Sequence, residues 1–166
     1  MSIFRIALAP VLVALVLSES DTAAGVAAAV FVFGALTDGL DGYLARRYSG
    51  TTALGQWLDP LADKILVTAP VVAMAFIGRF PVWAVVVIVL REFAVSALRA
   101  WLGMRGVAMP ASRWGKAKTA VQMVLVPLYL LPLGEAAEPW RLAILWAAVV
   151  LTVWSGLDYF WKAARR

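Results

Sequence analysis

The sequence predicts an all-α integral membrane protein with six transmembrane helices and both termini on the cytoplasmic side. Three observations carry this prediction. Hydrophobic residues make up 63% of the 166 residues, the mean hydropathy is +0.86, and the apolar residues fall into six stretches. A spanning helix needs about 20 apolar residues and satisfies its backbone hydrogen bonds internally. We therefore predict a single membrane domain, residues 1–166, without internal repeat or linker.

The six apolar stretches are Ile3–Leu17, Ala23–Leu44, Leu61–Ile77, Val82–Leu102, Ala117–Leu133 and Leu142–Trp161. The first stretch carries Arg5 ahead of its apolar run, as a secretion signal would, but it lacks a small-residue cleavage site. Five further apolar stretches follow it, so we predict a retained first helix. Proline residues and short lengths leave the ends of several stretches undefined.

The distribution of charge sets the predicted orientation. The first, third and fifth connections carry few basic residues, whereas the other connections and the two termini collect most of the Lys and Arg residues. Because basic residues accumulate in cytoplasmic loops, we predict a multi-pass protein of the inner (cytoplasmic) membrane. The net charge of +5 does not indicate nucleic-acid binding, since the basic residues lie between hydrophobic segments.

The sequence contains no Cys and no His. This excludes a disulfide framework, a thiol nucleophile, a Ser-His-Asp triad and an imidazole-bound zinc ion. A metal site in this chain would depend on carboxylate oxygens, which suit hard cations such as Mg²⁺ or Mn²⁺.

Four aspartates lie within the segment "TDGLDGYLARRYSGTTALGQWLDPLADK", residues 37–64. Asp38 and Asp41 are three residues apart, and Asp59 and Asp63 are four residues apart. On a helix, either spacing places both carboxylates on one face. Carboxylates inside a membrane protein are costly and usually functional, so these pairs are the leading candidates for a site.

A short loop from Tyr48 to Leu58 is predicted to join the two helices that carry these pairs. Pro60 suits the first turn of the second of these helices, where its missing N–H costs nothing. The two pairs would then converge on one point. Four unpaired carboxylates there would repel one another, and one or two bound divalent cations would remove that conflict.

Small residues accompany the aspartates. Gly39, Gly42 and Ala45 form a strip beside the first pair, and Gly55 falls in the predicted loop. Such a strip allows close helix packing, which is the structural interpretation, and it also allows a phosphate-bearing ligand to reach the backbone. The glycines alone do not distinguish the two interpretations.

Together these residues resemble the signature of the CDP-alcohol phosphatidyltransferases, position for position, as Asp38-x2-Asp41-Gly42-x2-Ala45-Arg46-x8-Gly55-x3-Asp59-x3-Asp63. The resemblance implies a six-helix membrane enzyme that forms a homodimer. It implies transfer of a phosphatidyl group from CDP-diacylglycerol to an alcohol, with release of CMP. It also implies Mg²⁺ or Mn²⁺ in a cavity open to the cytoplasm.

The resemblance further implies a role for each aspartate. Asp38, Asp41 and Asp59 would be metal ligands. Asp63 would be the general base that takes the proton of the acceptor hydroxyl, and it would also contact a second metal where two ions bind.

The resemblance implies a nucleotide site from the same segment. Gly42, Ala45 and Gly55 would border the cytidine nucleotide together with Asp38. Arg46 would face the diphosphate.

The acceptor alcohol has to be predicted from other residues. Five basic residues, on the fourth stretch and at the entry to the fifth, are candidates for binding an acceptor phosphate: Arg91, Arg99, Arg113, Lys116 and Lys118. Arginine and lysine hold phosphate by charge and by N–H donors. The alternative is that those of the fifth stretch face anionic lipid headgroups.

Arg91 falls well inside its apolar stretch, where an unpaired guanidinium is costly. Its partner would be Glu92, an aspartate or a phosphate. A purely structural pair with Glu92 is one interpretation, although adjacent helical residues do not face each other.

The "RE" of the fourth stretch, a following arginine and "GKAKT" resemble the branch of the family that uses sn-glycerol 3-phosphate. The product would be phosphatidylglycerophosphate. The N-terminal "IFRIALAP" also resembles that branch, although its usual Asn and Pro-Asn leader is missing.

Other functions are considered alongside this one. Within the family, the alternatives are a cardiolipin synthase, whose acceptor is phosphatidylglycerol, and a phosphatidylinositol phosphate synthase. An ion or proton transporter would spread its acids along a path across the bilayer, whereas here they cluster near one boundary. A non-catalytic membrane scaffold would not need four aspartates.

Overall fold

The computed structural model describes the backbone of residues 2–48, 53–107, 109 and 112–165, and the side chains of residues 4–37, 64–107, 109 and 112–165. Within these residues the chain is helical, with six α-helices and one short 3-10 helix and no strand. The helices are α1 (Ser2–Leu17), α2 (Asp21–Tyr48), α3 (Ala53–Phe76), α4 (Val82–Met104), α5 (Arg113–Leu130) and α6 (Glu138–Ala164). The all-α prediction is therefore confirmed for the described part of the chain.

One predicted boundary is wrong. The loop was expected to extend from Tyr48 to Leu58, but α3 already begins at Ala53. Gly55 therefore lies in α3, and Pro60 lies well beyond the first turn. The alanine, leucine and glutamine residues between Ala53 and Leu58 are good helix formers, and they extend the helix upstream of the proline. The prediction had taken the proline as the start of the helix.

Two helices end in the same glycine-dependent motif. Gly78 follows α3 with φ +73°, and Gly106 follows α4 with φ +75°. After α3, the N–H of Arg79 donates to the carbonyl of Met74 at 2.8 Å, and the N–H of Gly78 donates to the carbonyl of Ala75 at 3.1 Å. Glycine adopts this left-handed conformation without steric cost, so it ends these helices sharply.

The described residues form two compact units. The first contains residues 1–80 and 126–134, and the second contains residues 81–125 and 135–166. In the first unit, α1 packs against both α3 and α2, and its core includes the fully buried side chains of Leu12, Phe31 and Met74.

The second unit is built on the packing of α4 against α6. Ile88 of α4 and Leu145 and Ala148 of α6 are almost completely buried. Near the start of α4, the rings of Trp83 and Trp146 lie 5.3 Å apart. Burial of these side chains stabilises the unit by the hydrophobic effect.

Among the described residues, a single segment, residues 135–164, is both long enough and apolar enough to cross a membrane. Its helix α6 exposes large apolar side chains along its length: Trp146, Val150, Val153, Trp154 and Leu157. Exposed apolar surface of this size is typical of a protein that contacts lipid. Shorter apolar helices occur at Phe4–Leu17, Asp21–Thr37 and Lys64–Phe76, so the count of six spans stays a prediction.

Candidate functional site

The helical setting predicted for the aspartates is confirmed. Asp38 and Asp41 lie on α2, and Asp59 and Asp63 lie on α3. Their side chains lie outside the described residues, as do those of the predicted nucleotide-binding residues Gly42, Ala45, Arg46 and Gly55. The remaining acidic residues, within the described side chains, form no cluster of three that could hold a metal ion.

A buried ion cluster lies within the second unit. The carboxylate oxygen Oε1 of Glu92 accepts a hydrogen bond from Arg91 Nη1 at 3.1 Å. The same oxygen accepts a short hydrogen bond from Lys118 Nζ. The exposed fractions of the three side chains are 11% for Arg91, 12% for Glu92 and 5% for Lys118. Two cations therefore share one carboxylate in a site largely removed from water.

The partner predicted to be necessary for Arg91 is present. Although neighbouring residues on a helix do not face each other, the long guanidinium side chain reaches the Glu92 carboxylate. Glu92 in turn reaches α5 through Lys118, and Arg91 reaches α6 through a hydrogen bond from Nη2 to Ser155 Oγ at 2.9 Å. The pair therefore connects α4 to both of its neighbouring helices.

Small and aromatic residues shape the space around Arg91. A Cβ atom added at Gly156 would lie 3.3 Å from Arg91 Cγ, so the absence of a side chain there leaves room for the arginine stem. The guanidinium carbon lies 5.8 Å from the centroid of the Tyr159 ring, a distance at which the ring face attracts a cation. Arg91 is thus held from several sides.

Tyr159 also fixes the start of α5. Its hydroxyl accepts a hydrogen bond from the backbone N–H of Ser112 at 2.9 Å. The Ser112 hydroxyl accepts one from the N–H of Trp114 at 3.2 Å, which caps the first turn of the helix. The position of Lys118, one and a half turns further along α5, therefore depends on α6.

Three buried polar atoms have no hydrogen-bond partner within the described structure: Arg91 Nε, Gln122 Nε2 and Thr152 Oγ1. All three belong to the second unit. A buried donor without a partner costs about 1–3 kcal/mol, and an arginine Nε in this state is available to an oxygen-rich ligand.

The five predicted acceptor-binding residues separate into two groups. Arg91 and Lys118 meet at Glu92 in the buried cluster. Arg99, Arg113 and Lys116 have exposed side chains. The structure thus brings two of the five residues together, and the phosphate-binding role stays a prediction for all of them.

Ser155 and Tyr159 were not predicted from the sequence. Their spacing was a usable signal, because these two polar-tipped residues stand four apart in a largely apolar helix, which places them on one face. Gln122 and Thr152 are comparable polar residues within apolar helices.

Comparison with known proteins identifies the family. A family model described as CDP-alcohol phosphatidyltransferase matches residues 1–154. The chain belongs to this family. The family assignment confirms the resemblance predicted from the aspartate signature, and CDP-alcohol phosphatidyltransferases are in general dependent on a divalent metal ion.

Several curated relatives are similar over most of this phosphatidyltransferase chain. A "Probable phosphatidylglycerophosphate synthase" of Mycobacterium tuberculosis is 41% identical over 140 residues, which are 84% of this chain and 66% of that protein. A "CDP-diacylglycerol--glycerol-3-phosphate 3-phosphatidyltransferase" of Bacillus subtilis is 38% identical, with 97% of this chain and 93% of the relative covered. The Haemophilus influenzae protein of the same name is 33% identical, with 96% and 88% covered.

Proposed function

We propose that this protein transfers the phosphatidyl group of CDP-diacylglycerol to sn-glycerol 3-phosphate, giving phosphatidylglycerophosphate and CMP. The names of the relatives support the reaction. The buried cluster of Arg91, Glu92 and Lys118 is the observation that carries the choice of acceptor. A phosphorylated acceptor explains why two cations are kept in a site where burial is costly.

Helix register supports convergence of the aspartates. Gly34 of α2 lies beside α3, since a Cβ atom added at Gly34 would lie 3.4 Å from Leu66 Cδ2. Asp38 and Asp41 follow Gly34 by four and seven residues. These spacings place all three positions on one face of α2, the face on which Gly34 approaches Leu66 of α3.

The same reasoning applies to α3. Asp63 and Asp59 precede Leu66 by three and seven residues, so they share its helix face. The contact of Gly34 with Leu66 thus aligns the two faces that carry the aspartates. This register supports a common site for all four carboxylates.

The donor set fits a divalent metal ion of the Mg²⁺ or Mn²⁺ type, because both prefer carboxylate oxygens. Asp38, Asp41 and Asp59 would hold one ion, and Asp63 would complete a second site. When bound, such an ion neutralises charge on the diphosphate oxygens and improves CMP as a leaving group.

In the proposed reaction, Asp63 accepts the proton of the acceptor hydroxyl. The hydroxyl oxygen attacks the phosphorus atom that bears the diacylglycerol, and the bond from that phosphorus to the oxygen of CMP breaks. A carboxylate within hydrogen-bond reach is suited to this general-base role. Gly42, Ala45 and Gly55 would border the nucleotide with Asp38, and Arg46 would face the diphosphate.

The proposed topology has six spans, cytoplasmic termini and an active site facing the cytoplasm. At the predicted inner ends of α4 and α6, an arginine stacks on a tryptophan. Arg105 lies 3.8 Å from the Trp101 ring and Arg165 lies 4.4 Å from the Trp161 ring. Tryptophan and arginine at a helix end are typical of a membrane interface. The homodimer implied by the family belongs to the same proposal.

An acceptor panel tests the reaction. The purified protein is given labelled CDP-diacylglycerol with glycerol 3-phosphate, phosphatidylglycerol, inositol phosphate or serine in turn. We expect turnover with glycerol 3-phosphate and formation of a phosphorylated lipid product. Faster turnover with phosphatidylglycerol would instead identify a cardiolipin synthase, and faster turnover with inositol phosphate would identify a phosphatidylinositol phosphate synthase.

The role of Lys118 is tested by a matched pair of lysine variants. Lys118→Met keeps the volume of the buried side chain and removes its charge, whereas Lys162→Met changes an exposed lysine near the end of α6 that belongs to no proposed site. We expect only the first variant to raise the KM for glycerol 3-phosphate, by about tenfold or more, without a similar rise for CDP-diacylglycerol. If Lys118→Met changes the KM of both substrates equally, or of neither, Lys118 has a structural or lipid-facing role and does not bind the acceptor.

A further inference from the structure

Glu92 occupies an unusual position in the ion cluster. Its single oxygen Oε1 is the acceptor for both Arg91 Nη1 and Lys118 Nζ. Because each nitrogen is within hydrogen-bond reach of the same atom, the two cationic nitrogens lie at most about 6 Å apart. A tetrahedral phosphate with several oxygens can bridge two donors at that separation.

Removal of the carboxylate would leave two like charges close together in a poorly hydrated space. At this distance, and at the effective dielectric constant of a protein interior, the two charges would repel each other strongly. The two side chains would then separate or change conformation. Glu92 therefore does more than neutralise a charge, since it sets the distance between the two cations.

Other contacts leave the cluster open to an anion. Ser155 accepts a hydrogen bond from Arg91 Nη2, and the Arg91 Nε is without a partner in the described structure. The unsatisfied Nε donor and the two adjacent cationic side chains indicate a site that is organised in advance for an anionic group.

We propose that Glu92 is a positioning residue that holds Arg91 and Lys118 as one cationic pair for the phosphate group of the acceptor. The proposal rests on the proposed function. Glu92 acts through these two side chains and does not itself contact the reacting atoms, since a carboxylate repels a phosphate.

The test uses Glu92→Gln, which keeps the shape of the side chain and removes its charge. We expect the KM for glycerol 3-phosphate to rise by about tenfold or more, the usual loss when the group that orients a ligating side chain is removed. The KM for CDP-diacylglycerol is expected to stay within about twofold of the wild-type value, because the nucleotide site is formed by other residues. Glu92→Asp, which keeps the charge, is expected to recover part of the loss.

Glu138→Gln is the matched control. Glu138 also forms an ion pair on the second unit, with Arg141 at 3.5 Å, but it belongs to no proposed site. We expect this variant to behave as wild type. A lower KM for glycerol 3-phosphate in Glu92→Gln would show that Glu92 competes with the phosphate, and an equal change for both substrates would show a structural role; either result overturns the proposal.

A double variant covers the case in which Glu92→Gln does not fold. Glu92→Gln combined with Lys118→Met removes one charge of each sign, so it leaves the net charge of the cluster unchanged. If Glu92 acts by holding the two cations as a pair, the double variant will raise the KM for glycerol 3-phosphate over that of Lys118→Met by clearly less than tenfold, because only the contact with Arg91 is then lost. A further rise of about tenfold or more would mean that Glu92 acts independently of the pair, contrary to the proposal.

The proposed function and the positioning role of Glu92 can fail separately. If the acceptor panel shows no turnover with glycerol 3-phosphate, the proposed function is wrong. If the panel succeeds but Lys118→Met or Glu92→Gln leaves the KM for glycerol 3-phosphate unchanged, the positioning role alone is wrong.

Discussion

Replacement of Asp63 by asparagine is expected to reduce kcat by about a hundredfold to ten-thousandfold, the range that general bases contribute. Asparagine has nearly the same shape as aspartate but cannot take the proton of the acceptor hydroxyl. Binding of CDP-diacylglycerol should remain, since the other three aspartates still provide ligands for the metal. The measurements are turnover with labelled CDP-diacylglycerol and calorimetric binding of the same lipid in detergent.

Asp21→Asn is the control for this experiment. It makes the same change at an exposed carboxylate in the first turn of α2, away from every proposed site. We expect wild-type turnover from this variant. Turnover of Asp63→Asn close to the wild-type rate would show that another group removes the proton.

Replacement of Asp38 or Asp41 by asparagine is expected to abolish metal-dependent binding of CDP-diacylglycerol at concentrations that saturate the wild-type protein. A neutral amide oxygen is a weaker ligand than a carboxylate for a hard divalent cation. The loss should therefore appear at the binding step, in contrast to the loss in Asp63→Asn. Calorimetry in detergent with Mn²⁺ measures it.

Asp21→Asn is the matched control, because Asp21 lies on the same helix, in its first turn, and is exposed. Chelation of divalent ions should abolish turnover of the wild-type protein, and added Mg²⁺ or Mn²⁺ should restore it. Full activity after exhaustive chelation, or unchanged lipid binding by both α2 variants, would contradict a metal site at these carboxylates.

The sequence allowed the six helices to be predicted because apolar stretches of this length have few alternatives in a membrane. It did not allow the boundary before α3 to be predicted. Pro60 is a strong local signal for a helix start, but helix formers upstream of it extend α3 back to Ala53. Local propensities compete at such a point, and a single residue does not decide the result.

The aspartates and the basic residues were predictable to different degrees. The aspartate signature could be recognised in the sequence because fixed spacing on a helix determines which residues share a face. The sequence did not show which acceptor candidates lie together, because Arg91, Arg99 and Lys118 are all basic residues in or beside apolar stretches. Their burial differs because packing of the helices, not spacing along one helix, decides which of them meet.

The sequence by itself determined the class of the protein, the aspartate signature and the chemistry left open by the absence of Cys and His. Tertiary structure alone decided that Glu92 joins Arg91 to Lys118 and that Ser155 and Tyr159 support the cluster. The physical reason is that these contacts join residues of different helices: Glu92 and Lys118 are 26 residues apart in the chain, and Arg91 and Ser155 are 64 residues apart. No periodicity within one helix specifies the partner that another helix brings to it.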